Sequence, residues 1–237
     1  MSTKFSYEVP LNHLDDFTDL QDMTFALSFL LKDERYQKYI RNKAPRPVIL
    51  DNSANELIYP DDPLAMILNC KEYGCDFVVA PDQDDWTFNQ ALRAAAAVAQ
   101  GVGIERVIVV CMSFQDYKDF RSEGFTRFAV PYEYRRDYNG INGTPKAFHT
   151  NFNMRHIHHL GCNTPGGVKF YRPKSCDTSM PIKIALQNLP YYEWALEGYP
   201  HIHTLDIVDT FFKATLSEKG ILTARKNISL LRQEALW

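Results

Sequence analysis

Three aspartates, each at or near the end of an apolar run, could do chemistry together. Asp51 follows PVIL, Asp82 follows FVVAP, and Asp177 lies in KSCDTSMPIKIAL, before two small hydroxyl residues. A set of carboxylates suits reaction at a glycosidic carbon, where one acts as nucleophile, another moves protons and a third accepts hydrogen bonds from a ligand. A lone aspartate before a helix is more often an N-cap, so the hypothesis depends on the three acids sharing one face.

The elements that would position these acids are short β-branched runs separated by helical patterns. Residues 86–101 are rich in alanine and end in glycine, and residues 63–74 begin with proline and end in glycine, so both predict helices. Residues 24–31 fit either a strand or a helix. The predicted strands are 47–50, 77–80, 106–111, 127–130 and 155–160. Strands that alternate with helices in this way predict a parallel sheet.

Polar residues follow several predicted strands, which favours a (β/α)8 TIM-like barrel over an open doubly wound sheet. A barrel builds its site from many strand ends, whereas an open sheet uses mainly its switch point. We expect one TIM-barrel-like domain over residues 1–237, with an eighth strand that could be incomplete or degenerate at this length. Residues from about 204 to 235 predict two C-terminal helices, broken at Gly220, that pack against the barrel.

Composition excludes several classes of function. The net charge of −3 does not favour a general polyanion binder, so nucleic-acid contact would need a local basic patch. The five cysteines are scattered without a CxxC, which indicates reduced thiols and no structural zinc. The chain has neither an apolar run of membrane-spanning length nor a signal-peptide pattern, so we expect a cytoplasmic protein without membrane contact.

No cofactor or metal is expected. Neither GxGxxG nor GxxxxGK[ST] occurs, which argues against nucleotide-phosphate loops of those types. Strand alternation would put His156 and His158 on one face and His159 on the other, but no fixed ligand spacing supports a metal site.

Taken in order, the motifs resemble those of the queuine/archaeosine tRNA-guanine transglycosylases and their DNA-modifying relatives. The matching segments, over about residues 45–190, are ILDNSANEL, FVVAPDQD, VIVVCMSFQ, RFAVPYE, HHLGCNTPGG and SCDTSMP. Two glycines of the family's first motif are replaced by Ala54 and Asn55, and its C-terminal zinc motif is missing. Because that zinc region supports tRNA docking, the chain looks closer to the short, zinc-free phage-type enzymes that act on DNA in the host cytoplasm.

The resemblance implies a role for each matching residue. Asp177 would be the covalent nucleophile, Asp51 a second catalytic acid, and Asp82 the reader of the guanine edge. The remaining substrate-binding residues would be Asn52, Ser53, Gln115, Glu133, Gly161 and Thr178. The partners implied are a nucleic acid, DNA more than tRNA, and a 7-deazaguanine base, whereas the oligomeric state stays open. The alternatives are a tRNA substrate, a hydrolase or transferase of free nucleosides or nucleotides, and a non-enzymatic binding subunit.

Overall fold

Eight parallel strands form one sheet in the computed structural model, which describes residues 2–57, 59–83, 85–131, 153–162, 165–196 and 208–235. The strands are β1 (Lys4–Tyr7), β2 (Thr24–Leu27), β3 (Val48–Asp51), β4 (Phe77–Val79), β5 (Val107–Val110), β6 (Arg127–Pro131), β7 (His158–Leu160) and β8 (Ser175–Thr178). Their order is β1-β8-β7-β6-β5-β4-β3-β2, and every neighbouring pair is parallel. The predicted (β/α)8 barrel is confirmed, with an eighth strand present.

Helices alternate with these strands and carry recognisable start signals. They are α1 (Glu34–Asn42), α2 (Ala54–Leu57), α3 (Pro63–Glu72), α4 (Phe88–Val102), α5 (Phe114–Ser122), α6 (Pro165–Tyr171), α7 (Met180–Leu186), α8 (Tyr191–Leu196), α9 (Val208–Lys213) and α10 (Glu218–Glu234). Asp62 caps α3 ahead of Pro63, and Thr87 with Gln90 forms a capping box on α4. None of the described helices is long and apolar enough to cross a membrane.

Short 3-10 turns account for two differences from the sequence prediction. Residues 24–31, which fitted a strand or a helix, are both: β2 ends at Leu27 and a 3-10 turn, Ser28–Lys32, follows. The predicted strand 155–160 is only half right, because Met154–His156 is a 3-10 turn and β7 begins at His158. Alternation had predicted that His156 and His158 share one strand face. His156 instead lies on the 3-10 turn before β7 and is exposed, so this prediction is wrong.

The predicted break at Gly220 is wrong. The two C-terminal helices are α9 and α10, and the chain between them is residues 214–217, with Ser217 as the N-cap of α10. Gly220 lies in the first turn of α10, where an added Cβ would come within 3.1 Å of Leu216 Cδ2 and within 3.4 Å of the Ala185 carbonyl oxygen. This glycine therefore lies inside a helix and does not end one. The start of the predicted segment, residues 204–207, lies outside the described residues.

The barrel has one seam, between β1 and β2, where the backbone ladder is replaced by side chains. The Phe5 N–H donates to Asp22 Oδ2 at 3.0 Å, and the Phe25 N–H donates to Ser6 Oγ at 2.8 Å. Arg232 on α10 then holds Asp22, with Nη1 on Oδ2 and Nη2 on Oδ1 at 2.9 Å each. Buried backbone donors need partners, so these side chains satisfy strand edges that do not pair with each other.

We expect Arg232→Met to weaken the seam while keeping the aliphatic packing of the side chain. Loss of the bidentate, partly exposed ion pair between Arg232 and Asp22 should lower the free energy of unfolding by about 1–2 kcal/mol. Lys43→Met is the matched control, because its pair with Asp15 is far more exposed and should be worth less than about 0.5 kcal/mol. Urea denaturation of both variants measures the difference, and equal losses would show that the seam does not depend on Arg232.

Candidate active site

The inside of the barrel is identified by a contact between strands that are not neighbours. The Phe25 ring of β2 stacks on the His158 imidazole of β7, with centroids 5.1 Å apart and planes 12° from parallel. In the barrel β1 and β8 lie between β2 and β7, so these two strands are not neighbours and their rings meet across the interior. Strand register pairs His158 with Ser175, so Ser175 and, two residues on, Asp177 also point inward.

A buried hydrogen-bonded chain of Ser175, His158 and Asp177 lies inside the barrel. Ser175 Oγ is 2.9 Å from His158 Nδ1, and His158 Nε2 is 3.0 Å from Asp177 Oδ1. The exposed fractions are 9% for Ser175 and 4% each for His158 and Asp177. A carboxylate accepts hydrogen bonds and cannot donate them, so this arrangement fits an imidazole that donates from Nε2 to Asp177, with the serine hydroxyl as the partner of Nδ1. The chain therefore orients Asp177 from one side.

The turn after β7 supplies a second support for Asp177. The Gly161 N–H lies 3.3 Å from both carboxylate oxygens, and the Cys162 N–H donates to the Asp177 carbonyl at 3.0 Å. Gly161 has a φ of 65°, a conformation that glycine adopts without a steric penalty. Gly161 and Asp177, predicted as binding residue and nucleophile, are thus brought into contact.

Asp177 is not a helix cap, which was the simplest alternative for it. Helix α7 begins at Met180, whose N–H donates to Thr178 Oγ1 at 3.1 Å. Thr178 is buried, and this local bond gives its hydroxyl a structural role beside any role in binding. The Cys176 thiol is a poor competitor for the nucleophile, because burial raises its pKa well above the usual value and the neighbouring Cys162 thiol raises that pKa further.

The second acid of the predicted site, Asp82, is held by Asn52. Asn52 is 2% exposed, and its Nδ2 donates to Asp82 Oδ1 at 2.6 Å and to the Ala80 carbonyl at 2.8 Å. Its Oδ1 accepts from the Ala54 N–H at 2.8 Å. The polar atoms of Asn52 thus bind the protein itself, and its role in the structure is to position Asp82. The helix that follows β4 is capped by Thr87, so Asp82 is not its cap.

Asp51 and Ser53 form a tight turn at the end of β3. The Ser53 N–H donates to Asp51 Oδ2 at 2.7 Å, and Ser53 adopts a φ of 55°, which is uncommon for a residue with a side chain. The Ser53 hydroxyl is buried and lies 2.9 Å from Ser28 Oγ, just after β2. Asp51 itself is half-buried. Ser53 therefore ties the turn that carries Asp51 to the neighbouring strand.

The three acids lie at the same end of the barrel, as the sequence predicted. Asp51 ends β3, Asp82 follows β4, and Asp177 lies in β8, so all three belong to the C-terminal ends of parallel strands. Their order around the barrel is β8, β1, β2, β3 and β4, so the β1–β2 seam lies between Asp177 and the other two acids.

One further predicted residue, Gln115, makes its side-chain contact within its own helix. Gln115 is exposed in the first turn of α5, where its amide donates to Asp119 Oδ1 on the same helix at 2.7 Å. Glu133 lies outside the described residues. Among the residues that the structure describes, no group of three or more His, Cys, Asp or Glu side chains could hold a metal ion.

Sequence reasoning missed the roles of Phe25, Ser175 and His158. His158 was considered only as a metal ligand, and the other two were not singled out. Alternation along HHL and SCDT could have put His158, Ser175 and Asp177 on one face, but only the pairing of β7 with β8 brings the three side chains together.

Comparisons with known proteins establish the fold and leave the reaction open. No family model matches the chain, and no curated protein matches it. The tryptophan synthase alpha chain of Legionella pneumophila superimposes with a TM-score of 0.52 at 10% identity, over 99% of this chain and 92% of that one. Dihydrodipicolinate synthase of Agrobacterium tumefaciens gives 0.51 at 11% identity, over 97% and 98%. At such identities the likeness concerns the barrel alone.

The contact between Asn52 and Asp82 gives a prediction that depends on pH. Asn52→Asp would bring two carboxylates to hydrogen-bond distance, and like charges so close raise the pKa of one of them. A carboxyl pKa that is raised in the folded state stabilises the protein as the pH falls, so Asn52→Asp should be least stable at pH 8 and recover toward pH 5.

Asn52→Ala is the matched control, because it removes the same hydrogen bonds without adding a charge. Its loss, about 2–3 kcal/mol for a buried amide with three partners, should change little over that range relative to the unsubstituted protein. Thermal denaturation of the three proteins across pH 5 to 8 measures this, and parallel curves for the two variants would contradict the contact.

Proposed function

We propose that this protein is a base-exchange transglycosylase that replaces guanine in nucleic acid, DNA in preference to tRNA, by a 7-deazaguanine. The observation that carries the proposal is Asp177, an oriented carboxylate inside the barrel at the C-terminal end of β8. This is the residue that the family resemblance implies as nucleophile. An enzymatic role is supported further by the barrel itself, which tryptophan synthase and dihydrodipicolinate synthase share.

The reaction has two displacements at one carbon. A carboxylate oxygen of Asp177 bonds to C1′ of the guanosine nucleotide, and the bond from C1′ to guanine N9 breaks, which leaves a glycosyl ester. The corresponding ring nitrogen of the 7-deazaguanine then loses its proton, bonds to C1′ and releases Asp177. The departing guanine gains one proton and the incoming base loses one, so Asp51 can carry the proton between them with no net change.

Base choice is assigned to Asp82. A carboxylate accepts from the N1–H and the 2-amino group of guanine, and 7-deazaguanine keeps both donors. Asn52 fixes one oxygen of Asp82, so the acid is held in one orientation before the base arrives. Since a site built to pair with two donors leaves its carboxylate unpaired against a base that lacks them, discrimination by such a site is strong.

We propose DNA over tRNA because residues 178–237, which follow Asp177, contain no cysteine, whereas in the family that the chain resembles a zinc motif of cysteines and a histidine supports tRNA docking. Asp177 is only 4% exposed, so a base within a duplex would have to leave its stack before C1′ could reach the carboxylate. The basic residues Lys169, Arg172 and Lys174 lie near the start of β8, at the other end of the strands from the acids.

Asp177→Asn should fold and lose exchange. The amide is nearly isosteric but a poor nucleophile, so incorporation of labelled guanine into DNA should fall at least about 10³-fold. DNA, tRNA and free deoxyguanosine are offered in parallel, and the Asp15→Asn variant, which changes an exposed surface acid, is the matched control. Wild-type exchange that persists in Asp177→Asn would assign the nucleophile elsewhere, and exchange into tRNA alone would reverse the preference for DNA.

Asp82→Ala should relax the choice of base more than it harms folding. Hypoxanthine differs from guanine only in lacking the 2-amino group, so it isolates one of the two hydrogen bonds assigned to this carboxylate. The wild-type preference for guanine over hypoxanthine should fall by about 10- to 100-fold in the variant, since a charge-assisted hydrogen bond is worth roughly 1.5–3 kcal/mol. Competition between the two bases in the exchange reaction measures the preference, and an unchanged ratio would remove Asp82 from base recognition.

A further inference from the structure

The hydrogen bonds from Ser175 through His158 to Asp177 hold one particular oxygen of the carboxylate, which the proposed reaction does not by itself require. Nucleophilic attack needs only a carboxylate, yet here one carboxylate oxygen, Oδ1, is within 3.0 Å of an imidazole nitrogen. The imidazole is fixed from its other side by the Ser175 hydroxyl at 2.9 Å, and its face is covered by the Phe25 ring. A ring held on both nitrogens and on one face has a single orientation.

The direction of these bonds follows from the donors available. Asp177 as a carboxylate has no proton to give, so His158 donates from Nε2. In a neutral imidazole Nδ1 is then an acceptor, and among the described residues the donor placed beside it is the Ser175 O–H at 2.9 Å. Asp177 thereby sets the Nε2–H tautomer, and the Ser175 hydroxyl supports it by donating to Nδ1. Without the serine, Nδ1 would lose this donor and the ring would lose its second fixed contact.

The contacts on the two carboxylate oxygens are unequal. Oδ1 lies within hydrogen-bond distance of both His158 Nε2 and the Gly161 N–H, whereas Oδ2 is contacted by the Gly161 N–H at 3.3 Å and not by the imidazole. A hydrogen bond withdraws electron density from the oxygen that accepts it, and it fixes that oxygen in space. Oδ2 is therefore the oxygen better suited to bond to an electrophile.

We infer that His158, held between Asp177 and Ser175 in its Nε2–H tautomer, is a positioning residue that anchors Asp177 Oδ1 and leaves Oδ2 to attack C1′. This inference rests on the proposed function for the identity of the reaction. It adds two residues to the machinery that neither the motifs nor the comparisons assign. Misplacement of a reacting atom by about 1 Å can cost 10²-fold in rate, which sets the size of the expected effect.

The kinetic test compares single-turnover formation of the covalent adduct with guanine-containing DNA. His158→Leu should slow adduct formation about 100-fold with little change in DNA affinity, because the anchor acts on the reacting carboxylate. His158→Gln should recover to within about 10-fold of wild type, because its amide N–H can still donate to Oδ1. Ser175→Ala should fall between them. His156→Gln, on the exposed 3-10 turn before β7, is the control and should react like wild type.

The spectroscopic test is independent of the reaction. Imidazole ¹⁵N shifts at neutral pH should show His158 of the wild-type protein as the Nε2–H tautomer, and the Nδ1 resonance should move in Ser175→Ala because the hydrogen bond to Nδ1 is lost. A His158 found as the Nδ1–H tautomer in wild type overturns the inference. A folded His158→Leu variant that forms the adduct at the wild-type rate also overturns the inference. If His158→Leu does not fold, a Ser175→Ala variant that forms the adduct at the wild-type rate overturns it.

The two tests also separate this inference from the proposed function. If wild-type protein forms no adduct with any nucleic acid, the base-exchange proposal fails, and the ¹⁵N shifts still decide whether Ser175 orients His158 toward Asp177. If wild type forms the adduct and all three variants match it, the base exchange stands and the positioning role is rejected.

Discussion

The barrel depends on how its one unpaired seam is closed. At every other junction neighbouring strands share backbone hydrogen bonds, but β1 and β2 are joined through side chains. The same Phe25 whose N–H donates to Ser6 at the seam places its ring on His158, and His158 holds Asp177. The seam, the interior and the acid are thus one connected set of contacts.

This arrangement explains why a polar chain can lie inside a barrel, where branched apolar side chains are usual. A buried polar group is costly when it lacks a partner, and Ser175, His158 and Asp177 satisfy one another in sequence. The turn at Gly161 adds a backbone N–H that no side chain could supply at that position. The cost in apolar packing is balanced by one fixed carboxylate orientation, which suits a nucleophile and gives little advantage to a purely structural acid.

The second half of the site follows a similar plan with different residues. Asp82 is held by an asparagine whose other polar atoms bind the backbone, and Asp51 is held in a turn whose serine is tied to the next strand. Residues that resemblance assigns to substrate binding, Asn52 and Ser53, therefore support the acids. In each case the acid is fixed before any ligand arrives, which lowers the cost of ordering it on binding.

Much of the barrel was predictable because β-branched runs and alanine-rich or capped helices have local signatures. The predicted strands PVIL and RVIVVC correspond to β3 and β5, with bounds that differ by no more than one or two residues. Pro63 is the first residue of α3, and Thr87 is the N-cap of α4. What could not be predicted depends on pairing between distant segments. The contact of His158 with Asp177, for example, needs the β7–β8 register. The seam is beyond local reasoning as well, since Asp22 and Arg232 are far apart in sequence.

The central claim, that Asp177 bonds to the substrate carbon, can be tested directly by locating the adduct. Trypsin cleavage after Lys174 and Lys183 releases residues 175–183, SCDTSMPIK, in which Asp177 is the only side-chain carboxylate. The protein is incubated with guanine-containing DNA, and the reaction is quenched with acid. Nuclease then trims the bound DNA, trypsin digests the protein, and mass spectrometry measures the peptide masses. The account predicts a nucleotide remnant on the peptide 175–183. A remnant on residues 44–71, the tryptic peptide that carries Asp51, or guanine exchange with no remnant on 175–183, would contradict it.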